Sequence, residues 1–430
     1  MMESLSVFLN CAPLGLLTLA GKDDRYGLTY AESWLAGQEY AISPHLQPGA
    51  CASEQVKRFL SNLLPEGKWL EELSVDHQIS KSNIFGLIAL IGAETTGALT
   101  FQYDGVARDP RPTVFREVSA AELTERIAQR QRISIATWDG KPRLSVTGVQ
   151  DKLPIMIRPD GAMGFGEGDL ASTHILKFGR RPDMHMIINE FVCMKLAESI
   201  KLPVARVSLQ HLGEPVLVVE RFDRRWLGEK VDRLHLIDGC QLLDLPPAYK
   251  YERPFGKSGE GARIRTGASL PKLFAASRNC RIPALALRDL LNWTLFQLLI
   301  GNSDAHGKNI SFFVGKAGID VAPSYDLLNI DIYDEFERDL ALAIGDEFVA
   351  EKVKPYDFAE FCDASHLPLR QVAISLKNLC TATLDSLGTL PLGDVQNGEE
   401  MDFARDLMKR IKRNAERLLA IAAELPQVRL

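Results

Sequence analysis

"GNSDAHGKN", residues 301–309, packs a carboxylate, an imidazole, an ammonium and two side-chain amides into nine positions. It follows "PALALRDLLNWTLFQLLI" (283–300), which is apolar on nearly every face and predicts a buried helix. A polar loop is thereby anchored on rigid scaffold. Asp304 and Asn309 are separated by four residues, and seventeen residues past Asn309 stands Asp326, in "APSYDLLN" (322–329) after the strand-like "GIDVAP" (318–323). Three oxygen-bearing side chains are set to converge.

The text upstream supplies further parts. "RLSVTGVQDKLPIMI" (143–157) predicts two strands around a tight turn at Gly148, whose backbone N–H groups suit phosphate oxygens. "THILKF" (173–178) puts Lys177 on a strand. "MIINEFVCMKLAESIKL" (186–202) has Ile187, Ile188, Phe191, Val192, Leu196 and Ile200 at helical period and carries Glu190, placed to pair with Lys177. "EPVLVVERFDRR" (214–225) is a strand that breaks into polar sequence at Glu220. Glycine turn, strand lysine, helix glutamate, hinge strand, Asp with Asn at that interval and a downstream Asp follow the order of a protein-kinase phosphoryl-transfer site.

Each part alone has a plainer use. A glycine turn suits any hairpin, a strand lysine or Glu190 suits a solvated face, and Asp304 with Asn309 suits capping of the next segment. His306 suits packing or hydrogen bonding better than general-base work. The order of all six is what favours phosphoryl transfer. Rival motifs fail: "GNSDAHGKN" lacks the spacing and the Ser/Thr of a Walker loop, "DAH" lacks the other ligands of a binuclear phosphoesterase, and "GFGEGD" (164–169) has no helix after it and is expected to be a turn.

The remaining chain completes an α+β reading. The first hundred residues mix strand-like runs "SLSVFLN" (4–10), "LGLLTLA" (14–20) and "YGLTYA" (26–31) with a helix over "ASEQVKRFLSNLLPEG" (52–67), on which Val56, Phe59, Leu60, Leu63 and Leu64 share a face. Helices dominate after about residue 233, ending in "MDFARDLMKRIKRNAERLLAIAAEL" (401–425) with Phe403, Leu407, Ile411, Ala415, Leu418, Leu419 and Ala422 on one side. "YKYERPFGKSGEGARIRTGA" (249–268), glycine-rich and charged, is expected to be a loop that orders on demand. The expected fold is α+β and protein-kinase-like, two-lobed: an N-terminal subdomain over 1–135, a β-rich part with the phosphate loop over 136–232, and a helical C-terminal lobe over 233–430.

Composition sets bounds. With 430 residues, 46% hydrophobic and 25% charged, the chain is an ordinary globular one long enough for two or more cores. A formal charge of -6 gives no overall pull toward nucleic acid or anionic lipid, so contact with DNA is expected to be local or through a partner. The basic runs at 179–183 and 408–413 are expected to be solvated faces. Seven scattered cysteines, odd in number and without a C-x-x-C pair, argue for reduced thiols over disulfides or zinc. No run is long enough to span a membrane, and the first twenty residues lack a basic leader, so a cytoplasmic protein is expected.

These strings together ("LSVTGVQDKLPI", "THILKF", "NEFVCMKLAESIKLPV", "VVERFDRR", "DGCQLLDLPPAYKYE", "LLIGNSDAHGKNISFF" and "PSYDLLN") resemble the HipA family of bacterial toxin–antitoxin serine/threonine kinases. "FLSNLLPEG" (59–67) and "GALTF" (97–101) resemble that family's N-terminal subdomain. The resemblance implies a kinase using ATP and Mg²⁺, with Asp304 as catalytic base and Asn309 and Asp326 as magnesium ligands. It implies a phosphate-covering loop of Thr147, Gly148, Val149, Gln150, Asp151 and Lys152, a phosphate contact at Lys177 paired with Glu190, and an adenine hinge of Glu220, Arg221 and Phe222. His306, Gly307, Lys308 and Tyr325 would line the same pocket, and Ser145 matches an autophosphorylated serine.

The implied target is a translation component such as an aminoacyl-tRNA synthetase. The implied partner is a helix-turn-helix antitoxin (HipB-like) that carries most of the contact with operator DNA. Two alternatives stay open at this point: a small-molecule kinase of related fold, and a catalytically inactive kinase-like repression scaffold.

Overall fold

The computed structural model describes the chain except residues 1, 22–23, 38–39, 50, 94, 106–112, 136, 144–150, 169, 180 and 182–183. It divides into two compact units: Met1–Phe178 with His211–Ile237 and Phe312–Gly318, and Gly179–Gln210 with Asp238–Ser311 and Ile319–Leu430. The first is rich in sheet and the second mainly helical, in keeping with the α+β expectation.

In the first unit an antiparallel sheet runs in the order Arg25–Tyr30, Ala12–Ala20, Met2–Leu9, Leu99–Tyr103. Leu5 and Val7 alternate inward while Ser4 and Ser6 turn out to bond Asp104, the period-two signature of a half-buried strand. The helix Ser53–Leu63 buries Val56, Phe59, Leu60 and Leu63, as its periodicity predicts. It stops at Leu64, which is extended because the next residue is Pro65.

A second antiparallel ladder pairs Pro215–Glu220, His174–Phe178, Lys152–Ile157, Met163–Glu167 and Val114–Glu117 in that order. Leu153, Ile155, Leu176, Phe178, Val216 and Val218 face a core closed by Leu123 and Ile127 of the helix Ala120–Ala128. Alternation then puts Lys152, Pro154, Ile175, Lys177, Leu217 and Val219 on the opposite face.

The "GFGEGD" string is corrected here. Gly164 and Gly166 lie inside the strand Met163–Glu167, not in a turn. Their missing side chains admit close neighbours: a Cβ on Gly164 would stand 2.2 Å from the Arg116 carbonyl oxygen, and one on Gly166 2.5 Å from Leu170 Cβ.

His235 fastens the first unit from inside. Buried, its Nε2 donates to the Ile42 carbonyl at 2.9 Å, while Nδ1 has no partner among the described residues. Burial pushes its pKa down from 6.5 to about 4. Between those values the unfolded chain binds the proton that the folded one refuses, so the contribution is full above pH 6.5 and is lost as pH falls toward 4. We expect urea-unfolding stability to drop by roughly 3 kcal/mol across that window. His235→Gln, which keeps an N–H for Ile42, should flatten that part of the profile, and an unchanged slope in this variant would contradict the assignment.

The second unit is built around the helix Pro283–Ile300, which starts on a proline and ends at Gly301 in the left-handed region, φ 75°. Trp293 to Ile300 are all buried, so its C-terminal half is covered on every side, while its first turn is exposed. The helices Leu369–Ser386 and Glu399–Glu424 pack on it, and Met186–Ser199 packs on Glu399–Glu424. Asn414 donates to the carbonyls of Leu298 and Leu299, both at 2.8 Å, satisfying groups the helix end leaves open. On Glu399–Glu424 the buried stripe is Ala404, Leu407, Ile411, Ala415, Leu418, Ile421 and Ala422; Phe403 and Leu419 sit at its half-buried edges.

The 249–268 segment is also corrected. Glu252 is buried within it, pairs with Arg265 at 2.5 Å and accepts the Ala343 N–H at 2.8 Å, so bonds within the chain organise a run that its composition reads as a free loop. All seven cysteines are free thiols, and Cys193, Cys240, Cys280, Cys362 and Cys380 are buried. Among the described residues no helix is long and apolar enough to cross a membrane.

Candidate active site

The loop that follows the buried helix closes on itself. The His306 N–H donates to the Asp304 carbonyl at 2.8 Å, and the Asn309 N–H to the His306 carbonyl at 2.9 Å. Asn309 Nδ2 reaches back to the Asp304 carbonyl at 3.1 Å, which leaves its Oδ1 as the oxygen it can offer to a ligand. His306 is buried, stands edge-on to Tyr251 with ring centroids 5.2 Å apart, and accepts the Lys308 N–H through Nδ1 at 3.3 Å. Ring contact and hydrogen bond are the uses the sequence favours for it over general-base work.

Asn302 joins this loop to Asp326. Its Oδ1 accepts the Asp304 N–H at 3.2 Å, and its Nδ2 donates to Gln297 Oε1 at 2.8 Å and to the Asp326 carbonyl at 3.3 Å. Tyr325 makes a second tie: its hydroxyl donates to the Lys308 carbonyl at 2.8 Å and lies 2.8 Å from Ser311 Oγ. Burial drives that phenol far above its ordinary pKa, so it stays a donor. Asp326 itself adopts φ 58°, a left-handed conformation uncommon for a residue with a Cβ. Asp304, Asn309, Asp326, His306, Gly307, Lys308 and Tyr325 thus belong to one bonded assembly.

The Lys308 ammonium has a defined place in it. It sits 2.6 Å from Asp238 Oδ2, with both side chains buried. Asp238 also caps the short helix Gly239–Leu242, accepting the Gln241 N–H at 2.8 Å while Gln241 Oε1 accepts the Asp238 N–H at 3.0 Å.

The first unit holds the other expected residues. Lys152 and Lys177 are direct partners across an antiparallel pair, both buried, and so share one face of the sheet. The Asp151 carbonyl accepts the Phe178 N–H at 3.0 Å, and its carboxylate lies 3.9 Å from Arg130 Nε. Glu220 ends its strand exposed. The Arg221 guanidinium is engaged by Asp223 at 2.9 and 2.8 Å and by Ser172 at 3.0 Å, and its backbone N–H donates to the Thr173 carbonyl at 2.9 Å. Arg224 meets the same carboxylate at 2.7 Å; burial raises the Asp223 pKa, but the two guanidiniums outweigh it and hold the group well below the usual range. Phe222 stands edge-on to Phe313 at 5.8 Å.

Glu190 is buried on Met186–Ser199 in the second unit, and neighbouring Asn189 locks that helix to the Asn329 carbonyl at 2.7 Å. Ser145, Thr147, Gly148, Val149 and Gln150 lie outside the described residues.

Three residues of the assembly escaped the sequence reading. Asn302 lay inside the quoted loop and was legible as one of its two amides. Tyr251, whose hydroxyl donates to Asp304 Oδ1 at 2.7 Å, and Asp238 both lie in the quoted string "DGCQLLDLPPAYKYE" (238–252), far from the loop in sequence and with no role assigned by spacing.

Residues 5–102 match the HipA N-terminal domain and residues 144–387 the HipA-like C-terminal domain. The serine/threonine-protein kinase toxin HipA of Shewanella oneidensis is 37% identical over 434 residues, 99% of this chain and 98% of that protein. A solved complex of HipA, HipB and operator DNA from the toxin–antitoxin system of Shewanella oneidensis MR-1 contains a chain that matches with a TM-score of 0.91 and 36% identity, covering 99% of this chain and 100% of that one. With both domains matched in order and kinship running the full length, the chain belongs to the HipA family.

Proposed function

We propose that the protein is an ATP- and Mg²⁺-dependent serine/threonine protein kinase acting in the cytoplasm as the toxin of a bacterial toxin–antitoxin pair. The observation that carries this reading is the Asn302 hub, which bonds the Asp304 loop to Asp326 while Asn309 bonds back to Asp304. One carboxylate and one amide oxygen, both hard donors, suit magnesium, which takes few protein ligands and fills its shell with phosphate and water. Bound Mg-ATP would supply the phosphoryl group and neutralise its oxygens.

The chain's own residues do the rest. Asp304 orients the acceptor hydroxyl and takes its proton, and Asn309 and Asp326 hold the cation. Lys152 and Lys177 concentrate positive potential on one sheet face, the complement of a polyphosphate. The segment Thr147 to Lys152 is the proposed phosphate cover, and Lys177 the proposed phosphate contact. The hinge of Glu220, Arg221 and Phe222 receives adenine, while His306, Gly307, the Lys308 backbone and Tyr325 shape the pocket floor.

The target is a translation component such as an aminoacyl-tRNA synthetase. Self-phosphorylation falls on Ser145, where close to two added negative charges would repel nucleotide phosphates and switch the enzyme off. The partner is a HipB-like helix-turn-helix antitoxin, and operator DNA is reached mainly through it, consistent with the formal charge of -6.

Incubation with γ-labelled ATP and Mg²⁺ tests the reading. Label is expected on Ser145 and on a protein of the translation machinery, with EDTA abolishing both. Ser145→Ala should lose the self-label and keep the other. Label confined to a small metabolite, or no turnover at all, would replace this reading by a small-molecule kinase or an inactive scaffold.

A further inference from the structure

A carboxylate on a short side chain turns about a broad, two-fold torsion unless something pins it. In Asp304 the pin is Tyr251, whose hydroxyl donates to Oδ1 at 2.7 Å. No hydrogen bond from a described residue reaches Oδ2. The two oxygens therefore differ in kind: one is held and the other is presented.

Tyr251 is itself fixed from three directions. On its N-terminal side the Gly307 N–H of the loop donates to the Lys250 carbonyl at 2.9 Å. On its C-terminal side the Glu252 N–H donates to the Ala341 carbonyl at 3.0 Å, and the Ala341 N–H to the Ser303 carbonyl at 2.7 Å. The same Glu252 carboxylate that accepts from Ala343 anchors the segment in the interior. Behind it Gly267 approaches so closely that a Cβ there would lie 1.8 Å from the Tyr251 carbonyl oxygen. The ring meets His306 edge-on, interplanar angle 86°. Both flanks of Asp304, at Ser303 and Gly307, are thus tied to the strap that carries the phenol.

We propose that Tyr251 is a positioning residue for the catalytic carboxylate: it locks Asp304 through Oδ1 so that Oδ2 faces the acceptor hydroxyl in a ready orientation. This rests on the kinase reading above. Pre-fixed geometry of this kind lowers the barrier without changing how tightly the nucleotide is held.

The test is Tyr251→Phe in the full chain, which keeps the ring and its contact with His306 and removes only the hydroxyl. Self-labelling is followed across a range of Mg-ATP concentrations, alongside direct Mg-ATP affinity and the melting temperature. The expected result is a maximal rate lower by about 10- to 100-fold, with the apparent KM for ATP, the affinity and the melting temperature unchanged. An unchanged maximal rate in the variant overturns the proposal and leaves the kinase reading standing. A faster variant also overturns it, since the phenol would then be occupying the acceptor's place. Parallel losses of nucleotide affinity and melting temperature assign Tyr251 to structural support instead. If wild type carries no label, the kinase reading falls first and takes this proposal with it.

Discussion

Asp304→Asn is expected to give a folded protein whose phosphoryl transfer is slower by about 10³-fold or more. The exchange is nearly isosteric. The amide oxygen still accepts from Tyr251, and the backbone carbonyl still receives Asn309 Nδ2 and the His306 N–H, so the loop keeps its bonds. What disappears is the capacity to take a proton from the acceptor, together with a negative charge beside the proposed cation site. Label transfer and melting temperature are to be measured on the same preparation. Full transfer in this variant would remove Asp304 from the chemistry, and a large fall in melting temperature would mean that its side chain serves the fold.

The second large effect is one of stability. Lys308→Met removes the ammonium from a buried pair and leaves the Asp238 carboxylate without its counter-charge. Breaking one partner of a buried ion pair costs about 3–5 kcal/mol, a large share of a typical domain's total. Urea unfolding should report that loss, and Lys308→Met combined with Asp238→Asn should recover part of it, because the amide oxygen can still cap Gly239–Leu242. A phosphate-contacting lysine would behave in the opposite way, with Mg-ATP affinity falling and stability unmoved. That outcome would return the Lys308 side chain to the nucleotide.

Local pattern carried the reading of the fold a long way. Asp304 and Asn309 were legible as neighbours because they ride on one loop after a helix apolar on nearly every face, whereas the tie from that loop to the Asp326 backbone rests on the Asn302 side chain. Segments stabilised by remote partners were not. The 249–268 run looks solvated by composition, yet a single buried Glu252 organises it through Arg265 within the run and through the Ala343 N–H, 91 positions away. The glycines at 164 and 166 look like turn formers, but close approach of Arg116 and Leu170 is what demands them. Arg221 was legible as part of the hinge strand, while its capture by Asp223 depends on a side-chain rotamer that periodicity does not encode. Tyr251 and Asp238 belong to the same class: each meets the loop across more than fifty intervening positions.

The left-handed backbone at Asp326 has a genetic corollary. Asparagine tolerates that conformation at least as readily as aspartate does, and the two differ by one atom and one charge. Under the proposed cation role of Asp326, an allele encoding Asp326→Asn would lose the charge while keeping the fold, and cells could accumulate intact, silent copies that still compete for whatever the active form binds.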